Sequence, residues 1–135
     1  MTTTLTKPAR ALIERPVIAN VATVDHLGHP QLTPVWIDID GDDLVFNTAK
    51  GRAKQANLDR QPWVAVSVVD PDDAYNVVVV RGQVEETEEG ADAHIDKLAK
   101  KYLGVDEYPM RRPGEVRVIY RVKADHVVMQ PADSE

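Results

Sequence analysis

Three cations and a glycine fall within five positions, Lys50-Gly51-Arg52-Ala53-Lys54, of a 135-residue chain whose formal net charge is -6. Basic residues concentrated against an acidic background point to a local anion site. The run follows the apolar, strand-like Leu44-Val45-Phe46 and leads into Gln55-Ala56-Asn57-Leu58, which reads as helix. A strand-to-helix turn aims free backbone N–H groups and the positive end of a helix dipole at one spot, so phosphate or carboxylate is the natural ligand. Asn47 and Thr48 open the run, with Thr48 adding a hydroxyl, and Gly51 lets backbone approach an anion closely. The Lys-x-Arg-x-Lys alternation can set all three cations on one side of an extended turn. On local pattern alone, a solvated loop explains the run equally well. The glycine spacing and Lys-Ser/Thr pair of a phosphate-binding Walker loop are missing, and no Gly-x-Gly-x-x-Gly follows a strand.

Thr33-Pro34-Val35-Trp36 is the second singular stretch. A proline inside a strand removes a ladder donor and belongs at an edge, a bulge or a place where something else approaches the backbone. A planar ligand is one such visitor; a bulge at Pro34 with Trp36 filling the core is the other reading, and without context the stronger one. Tyr75-Asn76, Arg81 and Met110-Arg111-Arg112 offer further polar lining or ordinary surface. No catalytic residue is assigned. His26 and His29 flank a turn, His94 lies on an acid-rich helix, and the four histidines are too scattered for a metal motif. Ser67 and Ser134 lack a nucleophile's setting, and Asp42-Asp43 and Asp72-Asp73 read as turn formers rather than a hydrolase dyad.

Composition sets the outer limits. With 43% hydrophobic and 28% charged residues the chain reads as one globular domain, residues 1–135, with room for a single core. No apolar stretch approaches the ~20 residues of a membrane span, and the first residues carry no secretory signal pattern, so a cytoplasmic protein without a membrane partner is expected. There is no cysteine, which removes disulfides and thiolate chemistry; any redox reaction needs a borrowed cofactor. A pI near 5.2 argues against nucleic acid as a partner.

The elements that would position these residues are mostly strands. A helix over Leu5 to Glu14, with Thr6 as cap and Pro8 in its first turn, ends at Pro16. Val17–Val24 and Gln31–Ile39 form a hairpin, and Asp40-Gly41-Asp42-Asp43 turns the chain into Leu44–Thr48, giving a three-strand meander. A short helix over Ala53–Asp59 precedes strands Trp63–Val69 and Asn76–Glu86, in which Val77–Val80 is apolar on both faces. Ala91, Ile95, Leu98, Ala99 and Tyr102 mark an amphipathic helix stopped by Gly104. Val116–Lys123 alternates as a half-buried strand, Asp125-His126 turns, Val127–Met129 follows, and the polar tail frays. The sum is mainly β: a six- to seven-stranded antiparallel barrel with inserted helices.

Ile18-Ala-Asn-Val-Ala-Thr-Val24, Gly28-His-Pro-Gln-Leu-Thr-Pro-Val-Trp36 and Phe46-Asn-Thr-Ala-Lys-Gly-Arg-Ala-Lys54, in that order, resemble the pyridoxamine 5′-phosphate oxidase-like, FMN-binding type of split β-barrel. The resemblance spans about Pro8 to Met129 and is strongest to the actinobacterial branch of oxidoreductases that use the deazaflavin coenzyme F420. It implies a homodimer with two cofactors in grooves between protomers. The ring system would lie along Thr33, Pro34, Val35 and Trp36, and the phosphate would meet Thr48, Lys50, Gly51, Arg52 and Lys54, beside Asn47. The partner's Tyr75-Asn76 region and the arginine-rich loop would close the site. The cofactor would carry hydride to a conjugated acceptor such as a quinone, an enone or a tetrapyrrole like biliverdin. An FMN-dependent oxidoreductase of the same fold and a non-enzymatic barrel that holds a flavin-like or haem-like ligand remain the alternatives. Several cations at one end suit F420, with its phosphodiester and oligoglutamate tail, somewhat better than FMN.

Overall fold

Thr6 opens helix α1 (Lys7–Glu14) by accepting the Ala9 N–H on its hydroxyl at 3.3 Å, with proline in the first turn where no hydrogen bond is lost. The helix buries Ala9, Leu12 and Ile13 against the sheet. This computed structural model describes residues 4–130; the tail expected to fray, 131–135, and residues 1–3 lie outside the described residues.

Seven strands follow: β1 (Ile18–Val24), β2 (Pro30–Trp36), β3 (Asp38–Asp40), β4 (Asp43–Ala49), β5 (Trp63–Asp70), β6 (Asp73–Thr87) and β7 (Arg117–Gln130). Helix α2 (Ala53–Arg60) lies between β4 and β5, and helix α3 (Ala91–Leu103) between β6 and β7. All pairings are antiparallel in one curled sheet ordered β2-β1-β5-β6-β7-β4-β3. The fold is mainly β, a split barrel, as the strand pattern leads one to expect. Its interior is filled by Val21, Val66, Val68, Val78, Val80, Phe46, Val118 and Tyr120, with the Phe46 and Tyr120 rings 5.3 Å apart.

Two features differ from the sequence reading. The stretch expected as one strand, Gln31–Ile39, is two strands that sit at opposite edges of the sheet, so the three-strand meander does not form. Ile37 stands at the break, and side chains of α3 take its backbone groups. Its N–H donates to the Tyr102 hydroxyl at 2.9 Å and its carbonyl accepts from Lys101 Nζ at 2.7 Å. The Tyr102 hydroxyl gives its single proton to the Val17 carbonyl at 2.5 Å. Burial pushes that phenol up to about 12, so it stays a donor throughout the neutral range.

The turn expected at Asp125-His126 is instead a bulge within one continuous strand: Arg81 pairs with His126 and Gly82 with Ala124, leaving Asp125 unmatched. Gly82 is fixed by this close approach, since a Cβ there would run into the Lys123 carbonyl.

Candidate functional site

Strand β4 carries the first residue of the site on its outer face. Leu44, Phe46 and Thr48 point into the barrel interior, and the alternate residue Asn47 faces α3 and a cavity of about 350 Å³. Thr33, Pro34, Val35 and Trp36 of β2 form the opposite wall, so the two ends of the curled sheet meet across this space. Pro34 is tolerated because β2 is an edge strand. Trp36 stacks on Tyr102 at 5.2 Å and 11° between planes, and meets Tyr108 edge-on at 6.0 Å. It therefore lines the cavity from within an aromatic cluster rather than filling the barrel core.

The loop after α3 closes another side with Tyr108 and Met110. Acids on α3 hold it down: Asp96 accepts the Tyr108 N–H at 2.8 Å and Arg111 Nη2 at 2.7 Å, and Asp92 takes Arg111 Nη1 at 3.0 Å. Arg111 is thus a tether for the loop, and Arg81, paired with Asp125 at 3.4 Å, is also absent from the cavity lining.

Positive charge collects at one end. Arg52, the N-cap of α2, and Lys54 in its first turn reach the cavity, and among the described residues no side chain caps this N-terminus. Lys54 is only 8% exposed and has neither a hydrogen bond nor an ion pair among the described residues. Burial, then the nearby charges of Arg52 and Arg117, hold its amine below the usual lysine range. Arg117, which the alternation of β7 assigns to the solvated face, is 4% exposed and lines the same cavity. Its Nε donates to Asn47 Oδ1 at 2.8 Å, and its guanidinium lies 5.1 Å from the centre of the Tyr108 ring. Glu115 stands 3.2 Å from Arg117 and 3.8 Å from Arg52. The Arg117–Glu115 contact is close but misaligned, leaving Arg117 Nη1 and Glu115 Oε1 buried without a hydrogen bond among the described residues. Among the described residues, three cations (Arg52, Lys54, Arg117) against one carboxylate (Glu115) leave two positive charges uncompensated. An anion is what such a site lacks.

The structure thus brings together Thr33, Pro34, Val35, Trp36, Asn47, Arg52 and Lys54 of the residues singled out from sequence. It separates the others. Thr48 is 1% exposed inside the barrel, its hydroxyl without a partner among the described residues. Lys50 and Gly51 line a second cleft of about 300 Å³, shared with Arg52 and Arg112. Lys50 is paired with Glu88, and the Gly51 N–H is taken by Gln55 Oε1 at 3.0 Å. Tyr75, 80% exposed, and Asn76, bonded to Asp70, belong to the β5–β6 hairpin and do not line the cavity of their own chain. Arg117 and Tyr108 carry no local signal beyond type, because only the pairing of β7 with β4 and the tethering of the loop bring them in.

Among the described residues no group of three or more potential ligands could hold a metal ion, and no helix is long and apolar enough to cross a membrane. The family model for pyridoxamine 5′-phosphate oxidase matches residues 5–130. A solved structure named F420 reductase is 33% identical with a TM-score of 0.80, covering 92% of this chain and 98% of that one. A conserved hypothetical protein of Mycobacterium tuberculosis is 20% identical with a TM-score of 0.72, covering 96% of this chain and 87% of that one. HupZ of Group A Streptococcus is 20% identical with a TM-score of 0.70, covering 95% of each chain. The last two speak for the fold alone. Among curated proteins none matches.

Proposed function

Because this chain belongs to the pyridoxamine 5′-phosphate oxidase family, we propose that it is an oxidoreductase that binds coenzyme F420 in the cavity between β2 and β4 and reduces a conjugated small molecule. The observation that carries the reading is the pairing of an edge-strand wall with an anion-deficient end: Thr33–Trp36 along one side, and buried Lys54, unpaired among the described residues, with Arg52 and Arg117 at the other. The 33% identity to a structure named F420 reductase favours the deazaflavin.

The donor set fits a planar heterocycle ending in phosphate. Arg52, Lys54 and Arg117 would hold the phosphate, and the outer edge of β2, unpaired in the sheet, offers backbone groups to the ring. Hydride transfer is the chemistry a bound deazaflavin supplies. The chain's own residues bind and orient: Trp36 and Tyr108 supply aromatic surface at right angles to each other, Ile95 and Leu98 of α3 exclude water, and Ile18 and Met110 give the mouth an apolar rim suited to a quinone, enone or tetrapyrrole.

A second reading, FMN as cofactor, draws on the charge count. With Lys50 withdrawn by Glu88, the two uncompensated positive charges match a terminal phosphate monoester of charge about -2. Dimerisation belongs to the same proposal. Val69, Val77, Val79 and Val128 stand together, partly exposed, on the outer face of β5–β7. A second copy seated there would bury this stripe and bring its Tyr75-Asn76 hairpin toward the cavity.

Fluorescence titration of F420 and of FMN into the wild type and the Arg52→Ala/Lys54→Ala variant tests the reading. Micromolar F420 binding that the double substitution abolishes supports it. A yellow protein whose FMN is not displaced by F420 selects the second cofactor, and failure of both to bind removes the enzyme reading.

A further inference from the structure

Asn47 sits at the centre of a four-member junction. Its side-chain nitrogen donates to the Ala91 carbonyl at 2.9 Å and lies 3.1 Å from His94 Nδ1, while its oxygen accepts from Arg117 Nε at 2.8 Å. Arginine is only ever a donor and a carbonyl only an acceptor, so the amide has one satisfiable orientation. That orientation obliges His94 Nδ1 to accept. The imidazole must therefore be neutral, with its proton on Nε2, which is buried without a partner among the described residues.

We propose that His94 is a positioning residue for the cavity: by accepting at Nδ1 it locks the Asn47 amide, which in turn aims the Arg117 guanidinium at the anion. His94 itself does not line the cavity, and it acts only through Asn47. Protonation would set an Nδ1–H against the Asn47 N–H₂. One of the two side chains must then turn away, and Arg117 loses its acceptor.

The surroundings of His94 are mixed. Asp38 and Asp40 on β3 favour its charged form, Lys97 on α3 and Arg121 on β7 oppose it, and burial, the largest influence, opposes it too. The two acids are themselves engaged, Asp38 with Lys97 at 3.4 Å and Asp40 with Arg121. The net effect holds the imidazole below the ordinary histidine range, so the junction is intact at neutral pH and opens on acidification.

This inference rests on the reading of the cavity as a phosphate site, and one experiment separates the two. The imidazole carbons of His94, the Asn47 side-chain amide and the Arg117 Nε–H are followed by NMR across pH in the ligand-free protein, beside F420 binding by fluorescence. The Asn47 and Arg117 signals should move with the titration of His94, and F420 affinity should fall about tenfold over the same interval, as expected for one lost charge-assisted hydrogen bond. In His94→Asn, whose side-chain oxygen can accept where Nδ1 did, Arg117 and the affinity should both become insensitive to pH in that interval. In His94→Leu the affinity should be low at every pH. The proposal is overturned if Arg117 Nε–H ignores the titration of His94, if His94 stays neutral down to acid unfolding, or if His94→Asn keeps the wild-type pH profile. Absence of F420 binding to the wild type at neutral pH would instead count against the cofactor reading, and the NMR arm would still decide the role of His94.

Discussion

Arg117 Nε and Asn47 Oδ1 lie 2.8 Å apart across the β4–β7 pairing, where Asn47 stands opposite Ile119 and Arg117 opposite Ala49. The bond spends one arm of the guanidinium on the scaffold, and Nη1 has no hydrogen bond among the described residues. Replacing Arg117 with Lys should therefore keep the charge but lose the fork. Cofactor affinity is expected to drop by about tenfold or more, for a lost charge-assisted contact of about 1.5–3 kcal/mol. Isothermal titration of Arg117→Lys against wild type checks this; unchanged affinity would mean that the charge alone suffices.

Lys54 allows binding and stability to be pulled in opposite directions. A buried, unpaired ammonium destabilises the ligand-free fold, so Lys54→Met should leave stability equal or higher while weakening anion binding. The pH dependence has a definite sign. The folded amine titrates below its unfolded value near 10.5, so the unfolded chain holds more protons between the two, and wild-type stability rises with pH across that interval. Urea midpoints of wild type and Lys54→Met at neutral and alkaline pH should converge as pH rises; midpoints that diverge would contradict this.

How much of this was legible beforehand depends on the range of the interaction that fixes each element. Local chemistry was readable: Thr6 as a cap, Gly104 as the helix stop, and β-branched runs as strands. Arg52 and Lys54 were singled out by charge pattern alone, and they do face the cavity. The partition of the cationic run was not readable, because Lys50 turns away to Glu88, 38 residues distant in sequence. Nor was the break at Ile37, which follows from the Tyr102 hydroxyl and the Lys101 amine rather than from any residue beside it. Arg117 reads as a solvated position in an alternating strand until α3 and its loop cover that face.

Tyr102 offers a clean separation of packing from hydrogen bonding. Tyr102→Phe keeps the stack on Trp36 but leaves the Val17 carbonyl and the Ile37 N–H short of a partner. A loss of about 1–3 kcal/mol is expected for unsatisfied buried groups. Chemical denaturation measures it, and the Trp36 fluorescence of the folded variant should stay near wild type.

The bulge at Asp125 predicts that Gly82 tolerates no side chain. Gly82→Ala drives a methyl into the Lys123 backbone, and the strand must shift or the ladder open. The expected destabilisation is about 1–3 kcal/mol, the range of overpacking strain. Thermal unfolding reads it directly, and a variant as stable as wild type would mean that β7 slides at little cost.

The outer valines make the last prediction. Val79 pairs with Val128 in register, Val69 pairs with Val77, and Val69 and Val128 are each 42% exposed. A face of this kind, central in the sheet and carrying a strip of valines, is unfavourable in water unless something covers it. With a second copy as the cover, Val128→Asp would bury a carboxylate in each half of a twofold contact and should convert a dimer to monomer in sedimentation equilibrium. Cofactor affinity should fall with it, since the partner's Tyr75 and Asn76 would be withdrawn from the groove. Val116→Asp, on an exposed residue outside this strip, is the control that should leave the assembly unchanged. A wild-type chain that sediments as a monomer at every concentration would remove both the interface and the role given to the partner's hairpin.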